Sequence, residues 1–270
     1  MDIYICTYGR HDRQITYDNL PPEIQERTIL VVQDREAHKY DPKYNLLVLP
    51  PLVSNLPQTR EYLKTYEGDK KMVMLDDDLK FARRRFDDPT KFADASPIEL
   101  ELLFNDIELQ LDSYAHVGIS GREGANRNTD AFLFNTRMMR VLAYRRDVLR
   151  GHRIEMDTLP DMEDFHVTLQ LLRLGYSNCV INGYVQDQQG SNTEGGVSKY
   201  RTAETHARDC HILAELHPGF VTVVKKITKK SWGGGERTDV RIQWKKAYQS
   251  AGLVRVLGGG EGEYTDAEGG

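Results

Sequence analysis

The sequence predicts an α/β fold, a Rossmann-like and mostly parallel sheet flanked by helices, followed by a basic C-terminal extension. Three observations carry that expectation. Short apolar runs rich in Ile, Val and Leu alternate with amphipathic stretches through the first half of the chain. The connections between those runs have the length of helical, right-handed crossovers. A carboxylate triplet, Asp76-Asp77-Asp78, stands directly after one run, at the strand end where open α/β sheets bind ligands.

Taken in order, residues 3–7 and 28–33 read as buried strands, each ended by polar residues. Residues 45–49 give a third strand, closed by Pro50-Pro51, and residues 57–67 a helix. A fourth strand, 71–75, leads into the acidic triplet. Ser96-Pro97-Ile98-Glu99 has the residues of a capping box with Pro in the first turn, and its helix extends to about Tyr114. Residues 116–120 and 132–135 read as strands on either side of a polar loop, 121–130; residues 141–144 are another, with a short helix from Asp147. The helix over 163–174 has Gly175 as its C-cap. Late strands follow at 179–182 and 184–187, then a Gly-rich polar loop at 188–198 and a helix over 202–216, stopped by Pro218.

The 270 residues fit one catalytic domain, 1–222, with a basic helical extension, 223–257, packed on it and a disordered acidic tail, 258–270. No apolar run reaches the ~18–20 residues of a membrane helix, and the N-terminus lacks the pattern of a signal peptide. Cys6, Cys179 and Cys210 are sparse and far apart, which speaks for reduced thiols and a cytoplasmic setting and against a zinc or disulfide scaffold.

The net charge of −5 hides an asymmetry. Between Lys225 and Lys246, six Lys and two Arg face only Glu236 and Asp239, a net of +6, whereas the tail from Leu257 carries −4. The basic stretch, interleaved with Trp232 and Trp244 and bent by Gly233-Gly234-Gly235, suits phosphate contacts and base stacking through Trp232, Arg237, Arg241 and Lys245. Its alternative is a solvated basic helix covering the domain. Arg122 and Arg127, with Asn126 and Asn128, form a second polar loop able to face an acceptor.

The acidic triplet is the sharpest chemical feature. Adjacent carboxylates repel unless a cation or several donors offset them. In an extended segment Asp76 and Asp78 point the same way, so they can share one ion, and oxygen ligands suit Mg²⁺ or Mn²⁺. A solvated acidic turn is the alternative, and placement after a buried strand favours the metal. No P-loop is present, nor a Gly-x-Gly-x-x-Gly turn after the first strand. Thr7-Tyr8-Gly9-Arg10 stands there instead, with a hydroxyl, an aromatic face and a guanidinium for a base and a phosphate. A second acidic cluster, Asp161-Met162-Glu163-Asp164, opens a helix, where acids are also favoured by the dipole.

Five features follow one another within residues 1–185: Thr7-Tyr8-Gly9-Arg10, Asp34 at the end of the second strand, Thr59-Arg60-Glu61, the Asp76-Asp77-Asp78 triplet, and Glu163-Asp164 ahead of Leu171-Leu172-Arg173-Leu174-Gly175-Tyr176. In this order they resemble the family-2-like GT-A glycosyltransferases. Gly9 and Glu61 depart from the usual Asn at both places. Further on, residues 195–202, Glu204, His206 and the Leu216-His217-Pro218-Gly219-Phe220-Val221 segment look like phage glycosyltransferases that modify hydroxymethylated pyrimidines in viral DNA beside TET-like dioxygenases.

The resemblance implies a GT-A fold and an enzyme that moves a sugar from a nucleotide-sugar donor, a UDP-sugar, to a hydroxymethyl group of phage DNA in the host cytoplasm. It assigns donor binding to Thr7, Tyr8, Arg10, Asp34, Arg60, Asp76 and Asp77, with Lys199 and Arg201 closing over the donor from a loop. Mn²⁺ or Mg²⁺ would sit on Asp78 and Asp76, with His206 as a possible third ligand; a surface or core histidine is the alternative. His211 and His217 have weaker claims. Asp164 is the candidate general base, with Glu163 orienting the acceptor or capping the helix. A protein or glycan acceptor is the rival within the class. A GT-A-like nucleotidyltransferase would carry a Gly-rich, Arg- and Lys-bearing loop after the first strand, which this chain lacks, and a degenerate binding module would have broken acidic motifs.

Overall fold

In the computed structural model, residues 1–188, 202–228, 235–252, 254–255 and 264–265 are described. The elements are, in order, β1 (Asp2–Cys6), α1 (Ile15–Asp18), α2 (Pro22–Arg27), β2 (Thr28–Gln33), α3 (Asp34–Ala37), β3 (Leu46–Leu49), α4 (Leu56–Thr65) and β4 (Lys71–Asp76). Then come β5 (Leu79–Arg84), β6 (Phe92–Asp94), α5 (Pro97–Gln110), β7 (His116–Gly121), α6 (Arg122–Ala125), β8 (Phe132–Phe134), β9 (Val141–Arg145), α7 (Arg146–Gly151), α8 (Glu163–Arg173) and β10 (Asn178–Gln188). The C-terminal part holds α9 (Ala203–Leu216), β11 (Val221–Thr228), β12 (Gly235–Ile242), α10 (Trp244–Gln249), β13 (Val254–Arg255) and β14 (Tyr264–Thr265).

Ten strands form one sheet in the order β3-β2-β1-β4-β9-β7-β10-β5-β6, with β8 paired to β10. The neighbours β3-β2-β1-β4 are parallel; β9 lies antiparallel between β4 and β7, and β10 is again parallel to β7. This is the expected Rossmann-like sheet, with an antiparallel strand inserted. Alternation along the strands buries both faces. On one face Ile3, Ile5, Leu30, Val73 and Leu75 meet Leu103, Phe104 and Ile107 of α5. On the other, Tyr4, Val31, Met72, Met74 and Tyr144 meet Leu63 of α4, Leu149 of α7 and Leu171 of α8.

Local signals explain the main helices. Ser96 and Glu99 form the capping box of α5, and Thr202 caps α9 through Thr205. Gly175, at φ +85°, lies just beyond the end of α8. Two elements escape the sequence pattern. β5 and β6 form a hairpin over a stretch dominated by Arg83, Arg84 and Arg85, where only Leu79, Phe81 and Ala82 are buried. The late strands at 179–182 and 184–187 are one strand, β10, with a register shift between Ile181 and Val185. That bulge buries Asn182, which holds the 122–130 loop by donating to the carbonyls of Asn128 (3.0 Å) and Asp130 (2.7 Å).

The basic extension is not a helix over its length. Residues 221–228 and 235–242 pair antiparallel as β11 and β12, and only Trp244–Gln249 is helical. The β-branched Val221, Val223, Val224, Ile227, Thr238, Val240 and Ile242 set the local preference, and Val221 and Val240 turn into an apolar cluster with Leu169 and Leu172 of α8, Leu213 of α9 and Ala247 of α10. The extension and the domain thus share a core built on the far side of α8. Most of the acidic tail lies outside the described residues; Tyr264–Thr265 pairs with Val254–Arg255. Among the described residues, no helix is long and apolar enough to cross a membrane.

Candidate active site

Cys6 and Asp76 are register partners at the carboxyl ends of the parallel strands β1 and β4. The chain leaving each strand is fixed at once. Thr16 donates from Oγ1 to the Asp76 carbonyl (2.5 Å) and accepts from Leu79 N–H (2.8 Å), which pins the turn carrying Asp77 and Asp78. After β1, Gly9 takes φ +68°, and its N–H meets both carboxylate oxygens of Glu36 at 3.1 and 3.0 Å.

These strand ends form the floor of a cleft of about 1190 Å³. Thr7, Tyr8, Arg10, Arg60 and the whole acidic triplet line it, and so do Asp161, Glu163, Asp164, Phe165, His206 and Trp244. The two acidic motifs, some ninety residues apart in sequence, therefore face one space.

Two buried arginines hold the carboxylates. Arg10 pairs with Asp77 and, at 3.2 Å, with Asp78. Arg60 donates to Glu163 Oε1 at 2.5 Å and to Asp76 Oδ1 at 3.2 Å. Both side chains, expected to hold the donor, are engaged as counter-ions of the acidic motifs. Burial pushes the Asp76 pKa up to about 6, with Arg60 opposing the rise and Asp78 adding to it. Burial likewise raises the Glu163 and Asp164 pKa values, against the pull of Arg60 and, for Asp164, of Arg137. Desolvation pushes the half-buried Cys6 thiol beside them up to about 12, so it stays protonated.

The start of α8 is shaped by Met162, whose φ of +64° is uncommon for a non-glycine residue. Asp161 before it accepts from Met162 N–H at 3.0 Å and meets His206 Nδ1 at 2.6 Å. Asp164 Oδ1 accepts from Phe165 N–H at 2.9 Å.

The other expected site residues divide three ways. Arg122, Arg127 and Arg237 line the cleft; Arg122 lies 3.7 Å from Asp187 and Arg237 pairs with Asp239 at 2.7 Å. Arg241 and Lys245 are exposed and do not line it. Asp34 is also exposed, as the first residue of α3, and away from the cleft; the buried carboxylate of that helix is Glu36. Lys199, Arg201 and Trp232 lie outside the described residues. Sequence reasoning missed Glu36, Arg137, Arg140 and Phe165. Arg137 and Arg140 lie in the connection before β9, which takes positive φ at Asn135 and Arg140 and which no sequence pattern marks.

The donor set suits a hard divalent cation. Asp76 and Asp78 present oxygen ligands at the cleft, and carboxylates outnumber the guanidinium groups beside them. Among the described residues no group of three or more His, Cys, Asp or Glu side chains is gathered around one metal position, so His206, held by Asp161, does not complete a set with Asp76 and Asp78.

Several proteins of solved structure are similar to this chain. A mycobacterial protein of solved structure is 12% identical with a TM-score of 0.50, covering 92% of this chain and 87% of that one. The S. aureus TarS fragment 1–349 in complex with UDP-GlcNAc is 13% identical (TM-score 0.49), over 79% of this chain and 65% of that one. Glucosyl-3-phosphoglycerate synthase from Mycobacterium tuberculosis, in complex with Mg²⁺ and UDP, is 12% identical (TM-score 0.49), over 90% of both. The chain thus spans about 65% of the length of the TarS fragment. At these identities the likeness concerns the fold. No curated protein matches in sequence. The family model described as TET-Associated Glycosyltransferase matches residues 1–196, which include the strand-end turn, the triplet and the Glu163-Asp164 pair. The chain therefore belongs to the TET-associated glycosyltransferase family, built on a GT-A-type fold.

Proposed function

We propose that the protein moves a sugar from a UDP-sugar to the hydroxymethyl oxygen of a modified pyrimidine in DNA. The observation that carries this reading is the single cleft shared by Asp76-Asp77-Asp78 and Glu163-Asp164, together with the family. The triplet side takes the nucleoside diphosphate, and the α8 side takes the acceptor. Asp164 accepts the proton of the attacking hydroxyl, a role that suits a carboxylate whose pKa burial has raised. The oxygen then bonds to the anomeric carbon as the bond to the diphosphate breaks. Glu163, fixed by Arg60, orients the acceptor side without moving a proton itself.

Asp76 and Asp78 are the residues that would hold Mn²⁺ or Mg²⁺. Such an ion, when bound, offsets the negative charge that grows on the departing diphosphate. Arg10 and Arg60 keep the carboxylates in place for it.

Among the described residues of the hairpin, part of the basic charge is already paired. Lys226 and Arg237 both meet Asp239, at 3.1 and 2.7 Å. On this reading the cleft-lining Arg122, Arg127 and Arg137 share the contact with a DNA backbone with the extension.

The test offers purified protein several UDP-sugars with Mn²⁺ and DNA containing hydroxymethylcytosine, then analyses the nucleosides by mass spectrometry. A hexose adduct on the modified nucleoside supports the reading. Donor hydrolysis without DNA modification moves the acceptor to a protein or glycan.

A further inference from the structure

The acceptor side of the cleft carries a stack that the chemistry above leaves unused. The Arg137 guanidinium lies 4.7 Å over the Phe165 ring, and Trp244 meets that ring edge-on, with centroids 5.5 Å apart and planes at 81°. All three side chains line the cleft, and Phe165 follows the candidate base Asp164 directly. The stack gathers three separate parts of the chain: the connection before β9, the first turn of α8 and the first residue of α10.

Each partner keeps part of its surface on the cleft. Phe165 and Trp244 pack only partly into the apolar cluster behind α8. Among the described residues no carboxylate forms an ion pair with Arg137, although Asp164 acts on it through space. Arg10, Arg60 and Arg237 contrast with it, because each already meets a carboxylate. A cation beside a partly exposed aromatic pair fits one ligand chemistry well: a phosphate joined through a short linker to a flat ring. A nucleotide within a strand has that form.

We infer that the Arg137–Phe165–Trp244 stack is the acceptor nucleotide clamp, with Arg137 on a phosphodiester next to the target and the aromatic faces against its base. This rests on the DNA-acceptor reading and deepens it by naming the residues that hold the target nucleotide, with Arg137 on the phosphodiester that a strand has and a free nucleoside lacks. A base held there is out of the duplex stack, with its hydroxymethyl group brought to the residue that precedes Phe165 in sequence.

The chain has two tryptophans, so Trp232→Phe leaves Trp244 as the sole reporter of its own surroundings. A single-stranded oligonucleotide carrying hydroxymethylcytosine is titrated into that variant to read Trp244 emission, and into wild type, Arg137→Gln and Trp244→Leu to read affinity by calorimetry. Binding is expected to quench the Trp244 emission. Arg137→Gln should weaken oligonucleotide binding about tenfold and lower the slope of log affinity against log salt by about one, as loss of one phosphate contact does. UDP binding in Mn²⁺, measured by calorimetry, should not change. Trp244→Leu keeps apolar bulk at α10 and should weaken binding without altering the salt slope. The clamp is overturned if the oligonucleotide fails to bind or to quench. It is also overturned if Arg137→Gln leaves affinity and slope intact, or weakens UDP equally, which would put the arginine on the donor side. Failure of the functional reading shows elsewhere, as wild-type protein that binds the strand in this way and transfers no sugar to it.

Discussion

Arg60 and Glu163 stand 2.5 Å apart although 103 residues separate them in sequence, and the same guanidinium reaches Asp76 at 3.2 Å. One buried side chain of α4 thus joins the end of β4 to the start of α8, and with them the two acidic motifs of the cleft. Arg60→Met leaves the buried Glu163 and the half-buried Asp76 without their cation. The expected cost is about 3–5 kcal/mol, because an uncompensated buried charge is worse than no pair at all. Arg60→Lys, whose ammonium cannot fork to both oxygens, should fall between. Urea midpoints read at pH 7.5 check both; a change below about 1 kcal/mol in the methionine variant would show that the pair does not hold the two walls together.

Asp76 gives the protein a stability that falls as pH rises. Its pKa is about 6 in the folded state against an ordinary value of 3.8, so between those values the folded chain holds a proton that the unfolded chain has lost. The contribution is fully present below 3.8 and is lost as the pH climbs through about 6. Asp76→Asn should therefore raise the urea midpoint at pH 7.5, by roughly 1–3 kcal/mol, and flatten the dependence between pH 4 and 7, while abolishing transfer. Mn²⁺ binds the ionised carboxylate, so it should stabilise the wild type more at pH 7.5 than at pH 5 and stabilise the asparagine variant little. Removal of the metal with EDTA should stop transfer without unfolding the chain. An unaltered pH slope in Asp76→Asn would remove this carboxylate as its source.

These relationships mark what a sequence discloses. β2 at Thr28–Gln33 and β4 are continuous apolar runs with polar ends, so their bounds are legible, and the triplet after β4 follows from them. The capping residues Ser96 and Thr202 act within one turn and are equally legible. β5 is not, because Lys80 and the arginines at 83–85 outweigh the few buried positions that tertiary pairing with β10 supplies. The basic extension misleads for a related reason: charge suggests a solvated helix, whereas β-branched residues between the charges decide for a hairpin. Within the site, the carboxylates announce themselves, but the choice of Arg60 for Glu163, or of buried Glu36 over exposed Asp34, is made by tertiary contacts alone.

Gly9 shows a departure from family pattern that physics tolerates. Its φ of +68° lies in the left-handed region, which glycine enters freely and asparagine more easily than other side chains. The Asn usual at this place in the related enzymes suits the same backbone. Gly9→Asn should accordingly melt within a degree or two of wild type and keep UDP binding. Gly9→Val should cost about 1–2 kcal/mol and weaken donor binding, since the strained turn would pull its N–H from Glu36. Thermal melts with parallel calorimetry of UDP decide it; equal stability of the two variants would show that the turn does not require the left-handed conformation.

Asp164 provides the most direct test of the chemistry. It lies on the cleft beside Glu163, burial raises its pKa, and Arg60 and Arg137 oppose that rise. If it takes the acceptor proton, Asp164→Asn should lower the rate of transfer by about 10²–10⁴. UDP affinity and melting temperature should stay near those of wild type, since its one backbone contact, Phe165 N–H, can still be met by an amide oxygen. Glu163→Gln should behave differently. It breaks the charge-assisted bond to Arg60, so it should lower stability together with activity. In the wild type, transfer should rise with pH as Asp164 ionises, and that limb should vanish from the residual activity of Asp164→Asn. A variant that keeps both the rate and the limb would place the base elsewhere in the cleft.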